Sequence, residues 1–160
     1  MSLLRKNEKE ANLLVAKVMR STFVIFTLIY LLNVFGVFTV DKVIMTIAYI
    51  GGGCLLLLPT LWVNILKKES DYIKYVNVVC ASIFVTLLSI TLTYHVVAIY
   101  VYSIAIASLY FSKKLNIMAT GLTVAGVSVG QILAFNLKTL QDDNFTEFFR
   151  ADENGGGKYW

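Results

Sequence analysis

The side chains able to do chemistry are few and scattered. The single histidine, His95, follows Tyr94 in "SITLTYHVVAIYVYSIA", residues 89–105. An imidazole can carry a proton, contact a ligand or bind a metal. Two carboxamides, Asn33 and Gln131, stand inside apolar runs, where each needs a hydrogen-bonding partner away from lipid. Cys54 and Cys80 also fall in apolar runs. Without spacings or partners suited to a disulfide or a metal, they read as small core residues. Zinc motifs, G-x-S-x-G, phosphate loops and usefully spaced carboxylate pairs are absent from the sequence. We therefore expect no catalytic residue, no metal, no cofactor and no enzymatic activity. The apolar runs carry no chain of ionisable residues, which disfavours proton- or ion-coupled transport.

What positions these residues is a set of long apolar blocks. The chain of 160 residues is 58% hydrophobic and only 15% charged, against about a quarter charged in soluble domains. Its mean hydropathy is +0.72. We expect an all-α integral membrane helical bundle. Residues 1–20 are a charged preface in which Ala11, Leu14, Val15, Val18 and Met19 recur at helical spacing. They predict a short amphipathic helix on the membrane surface that runs into the first span. Spans follow at about 21–38, 43–66, 75–92, 96–111 and 115–135. The third and fourth come from one tract. Between Lys74 and Lys113 lie 38 residues without a charge. As one helix they would run about 57 Å, almost twice the hydrocarbon core of about 30 Å. The tract must turn back, and its midpoint falls beside Tyr94 and His95. Residues 136–160 are polar, acidic and then glycine-rich. They read as an extracytoplasmic tail of a truncated chain, its texture changing near residue 150. The first block follows Arg20, is too long for a signal core and lacks a cleavage site of the A-x-A kind.

Charge orients the spans. Of 14 Lys and Arg residues, ten fall on one side of this scheme: Arg5, Lys6, Lys9, Lys17, Arg20, Lys67, Lys68, Lys74, Lys113 and Lys114. The positive-inside rule places that side, and the N-terminus, in the cytoplasm. The pI near 9.0 then reflects topology, and no nucleic-acid partner is expected. His95 moves to the outer tip of the span three–four hairpin. There it is either a hydrated interfacial imidazole or a group for an extracytoplasmic ligand or a pH response. Tyr94 beside it, and Asn33 and Gln131 in the outer halves of their spans, are the other candidate ligand contacts. Tyr72, Tyr75, Tyr94, Tyr100, Tyr102 and Tyr110 read as interface anchors.

Glycine and proline mark further positions. Gly51, Gly52, Gly53 and Pro59 lie in the second span. Pro59 cannot donate to the carbonyl four residues back. The segment is either a hinge or a ligand cavity lined by freed backbone, or a place of close helix packing. Gly126 and Gly130 form G-x-x-x-G, which admits a close neighbour helix from the same chain or from a second copy.

The phrases "FTLIYLLNVFGVF", "LLLLPTLWVNILKK", "ITLTYHVVAIYVYSIAIASLYFSKKLN" and "TVAGVSVGQILAFNL" resemble the N-terminal multi-span membrane sensor region of bacterial signalling proteins. In those proteins a six-span sensor precedes a chemoreceptor, histidine kinase, sporulation-type serine phosphatase or diguanylate cyclase output. The resemblance covers about residues 10–150 and assigns no catalytic residue. It implies a sixth span and an output domain outside this chain. The expected function is a sensory input module in a bacterial inner membrane. The lipid bilayer, a second copy of the chain through its membrane helices and an unidentified small ligand are the expected partners. The alternative is a small substrate-binding membrane subunit of a transporter.

Overall fold

The computed structural model describes residues 3–37, 41–65, 72–92 and 99–136. Tyr94, His95 and the tail beyond Asn136 lie outside the described residues. Most of those described are helical, with no strand among them. Four stretches are long and apolar enough to cross a membrane: Asn7–Val34, Lys42–Val63, Ile73–Thr91 and Lys113–Asn136.

The first helix, α1 (Leu3–Val34), runs unbroken through the junction between the charged preface and the first expected span. Ser21 and Thr22 could have capped a new helix there. Instead their hydroxyls donate back to the Lys17 and Val18 carbonyls, each at 3.1 Å, a bond that keeps a hydroxyl inside a helix. Within the preface stripe, Val15 and Met19 are fully buried and join Phe26 in the core, whereas Leu14 is exposed. Gly36, at φ 78°, ends α1. Its N–H donates to the Asn33 carbonyl and that of Val37 to the Leu32 carbonyl, both at 3.0 Å. This is a Schellman stop, and it needs the left-handed residue that glycine supplies.

The second helix, α2 (Lys42–Thr60), starts on Asp41, whose Oδ1 accepts from the N–H groups of Val43 (2.9 Å) and Ile44 (3.1 Å). Pro59 is accommodated, and just beyond it the helix widens into a π turn, Leu61–Ile65. A missing amide donor is a common origin of such a change in winding. The third helix, α3 (Ile73–Thr91), is the central one and packs against every other α-helix.

The fourth expected span is the one that differs most. Its described part is a 3₁₀ turn at 99–101 and a seven-residue helix, α4 (Tyr102–Ser108). Ten helical residues, Ile99–Ser108, reach about 15–16 Å, half a hydrocarbon core. Phe111, at φ 49°, turns the chain into α5 (Lys113–Asn136), whose first amides are met by Ser112.

Cross-helix contacts give the directions. Tyr30 meets Thr46 while Thr60 meets Ala16, so α1 and α2 are antiparallel. Gly51 faces Leu87 and Gly52 faces Phe84, so α2 and α3 are antiparallel too. Gly126 faces Thr86 and Gly130 faces Ser89, so α3 and α5 run in the same direction. Helices α1, α3 and α5 thus start at one end of the molecule, which collects Lys9, Lys17, Lys74, Lys113 and Lys114.

Candidate functional site

The most connected group of polar side chains sits at that lysine-bearing end. Residues spaced three or four apart share a helix face, which places Glu8 with Asn12 on α1 and Lys74 with Asn77 on α3. The Lys74 ammonium donates to Glu8 Oε1 at 2.6 Å. Both side chains are partly exposed, so solvent screening leaves the pair a weak tie. Lys74 also stands 5.7 Å from the centroid of the Tyr75 ring. Deeper in, Asn77 is 1% exposed. Its Nδ2 donates to the Tyr110 Oη at 2.8 Å, and that hydroxyl donates onward to Asn12 Oδ1 at 2.8 Å. One phenol therefore joins α1, α3 and the turn between α4 and α5.

Two smaller groups lie along α4. Midway, Tyr102 donates to Thr22 on α1 at 3.1 Å, and the Ser103 and Thr123 hydroxyls bond across α4 and α5. Near the far end, Gln131 Nε2 donates to Tyr100 Oη at 3.0 Å. An aromatic group fills the space between α1, α2 and α3. Tyr30 stacks on Tyr49 at 4.3 Å, Phe26 meets Phe84 edge-on at 5.6 Å, and Phe84 meets Tyr102 at 5.9 Å.

The residues singled out from sequence fall into distinct settings. Asn33 is 2% exposed near the end of α1, on a different helix from Gln131, whose bond goes to Tyr100. Gly51, Gly52 and Gly53 lie within an unbroken α2, where added Cβ atoms would meet Leu87, Phe84 with Phe26, and Phe23 respectively, at 2.9–3.2 Å. These glycines serve close approach of α2 to α1 and α3. Pro59 is buried. Gly126 and Gly130 serve α3 of the same chain: a Cβ on either would land on the Thr86 or Ser89 hydroxyl. Tyr94 and His95 lie outside the described residues.

Tyr102 and Tyr110 bond inward, whereas Tyr72 is 76% exposed as an interface anchor would be. The polar end missed by sequence reading had a signal, the i, i+4 pair Glu8–Asn12, hidden because the preface looked solvated. Chemically, the three groups offer neutral hydroxyl and carboxamide contacts and one ion pair. Among the described residues no three His, Cys, Asp or Glu side chains are grouped to hold a metal, and Cys54 and Cys80 are free thiols. Comparison of the chain with protein-family models, with curated proteins and with solved structures finds no match.

Proposed function

We propose that this chain is the membrane-embedded, non-catalytic input module of a bacterial signal-transduction protein. It sits in the inner membrane as a five-span bundle with a cytoplasmic N-terminus. The observation that carries the reading is the Asn12–Tyr110–Asn77 junction. It couples the start of α1 to the α3–α5 half through neutral hydrogen bonds, which can exchange partners without desolvating a charge. A stimulus that favours one packing over another shifts the population of both halves together.

The five-span count is supported by α4's two anchors. Tyr100 bonds Gln131 toward one end, and Tyr110 bonds Asn12 and Asn77 toward the other. Residues 100–110 are therefore held to Gln131 on one side and to Asn12 and Asn77 on the other, although α4 itself is short. Since Gly126 and Gly130 are taken up by α3, pairing of two copies uses other faces. The lysine-bearing end is the cytoplasmic one.

The coding sequence downstream of residue 150 tests the function: a sixth span and an output domain are expected, and their absence refutes the sensor reading. Impermeant thiol labelling tests orientation. Single cysteines at Asp41 and His95 react from outside and one at Lys113 from inside; the reverse pattern inverts the topology.

A further inference from the structure

At the lysine-bearing end, an open groove of about 530 Å³ runs beside the start of α5, lined by Phe111, Lys113, Asn116, Ile117 and Thr120. Its chemistry changes along its length. Lys113 and Asn116 offer donors, whereas Phe111 and Ile117 are apolar and exposed, at 97% and 64%. A fully exposed phenyl ring is unfavourable in water and favourable where acyl chains meet headgroups. Ile117 lies on an outward face with Gly121 and Val124, at steps of four and three, and Gly121 has open space beside it. An acyl chain can follow that face down the helix.

Charge selects the headgroup. No described acidic residue pairs with Lys113 or Lys114. Of the three described acidic residues, Glu8 is engaged by Lys74, Asp41 caps α2 at the opposite end, and Glu10 stands on α1 outside the groove lining. The Asn116 Oδ1 lies 3.2 Å from the Ser108 hydroxyl, whose shorter bond, at 2.9 Å, goes to the Ile104 carbonyl. The Asn116 amide nitrogen can donate to an anionic oxygen. The Leu115 and Asn116 amides at this helix start are met by Ser112. Among the described residues that line the groove there is one lysine and no carboxylate, a poor setting for a choline or ethanolamine cation.

We propose that this groove seats one anionic phospholipid, its phosphate on Lys113 and Asn116 and an acyl chain along Ile117, Gly121 and Val124. The proposal rests on the membrane reading above, in which this end faces the cytoplasmic leaflet, where anionic lipids attract basic residues.

The test uses the full chain purified in detergent. Phosphatidylglycerol and phosphatidylcholine are offered at equal concentration, and bound lipid is counted by native mass spectrometry. Retention of one phosphatidylglycerol in preference to phosphatidylcholine is expected. K113Q lowers its affinity about fivefold, N116D lowers it further, and K42Q at the other end leaves it unchanged. Equal retention of the two lipids overturns the proposal. So does phosphatidylglycerol binding that K113Q and N116D leave intact, or binding of inorganic phosphate alone that excludes the lipid. Extraction of the chain from membranes by alkaline carbonate is a separate result, which sinks the membrane reading itself.

Discussion

At Gly130 the space for a methyl group is already occupied. A Cβ there would fall on the Ser89 hydroxyl and within 3.3 Å of the Thr86 carbonyl oxygen. The hydroxyl can rotate away, but the backbone cannot, so the helices must separate. Gly130→Ala is expected to destabilise the protein by about 1–3 kcal/mol, read as a lower unfolding midpoint in detergent. Gly121→Ala, on the same helix with nothing within 4 Å, is the control. It gains helix propensity and raises stability by up to about 1 kcal/mol. Tyr110 makes a complementary case. Tyr110→Phe keeps the ring but removes the oxygen that accepts from Asn77 and donates to Asn12. Asn77 is buried, so the lost partner costs about 1–2 kcal/mol. Asn77→Val in the Tyr110→Phe background recovers part of that loss, because no orphaned amide is left behind. A double-mutant cycle on these two positions measures the coupling.

At the scale of elements, the long apolar blocks were readable in advance, since an uncharged run of about 20 residues matches the thickness of a hydrocarbon core. α1, α2, α3 and α5 each coincide with one. Boundaries were less legible, for physical reasons specific to each. The continuation of α1 through Ser21 depends on hydroxyls that bond back to the preceding turn, and the same residue types also cap helices. α4 reads as a span by hydropathy, but its 3₁₀ entry and its exit turn come from tertiary bonds at Tyr100 and Tyr110. Those long-range partners leave no local period in the sequence. Tyr110 itself was read as an anchor because tyrosines favour interfaces; only the position of Asn12, 98 residues away, reveals the inward bond. Asp41, by contrast, is a local device in plain sight: a good capping residue before an apolar run. Asp41→Ala removes the acceptor of two N–H groups. The expected cost is about 1 kcal/mol, with faster amide exchange confined to the first turn of α2.

For the whole molecule, burial and bilayer exposure are separable by chemistry. Cys54 is exposed on α2, whereas Cys80 is buried on α3 in the cluster that holds Ala81 and Phe84. In a bilayer, a lipid-soluble maleimide is expected to modify Cys54 and spare Cys80, while an impermeant reagent modifies neither until the protein is unfolded. Rapid labelling of Cys54 by the impermeant reagent would place that face of α2 in water and count against the spanning arrangement. The parallel pairing of α3 and α5 also bears on how such a chain is made. Ser82, Thr86 and Ser89 return their hydroxyl protons to α3's own carbonyls, at 2.9 Å in each case. The surface that receives Gly126 and Gly130 is therefore self-satisfied before they arrive. During synthesis this face of α3 can rest against lipid without an orphaned hydroxyl while α4 and α5 are still being translated, whereas Asn77 waits for Tyr110. Its last neighbour then adds close contact to a helix that was never waiting on it for a hydrogen bond.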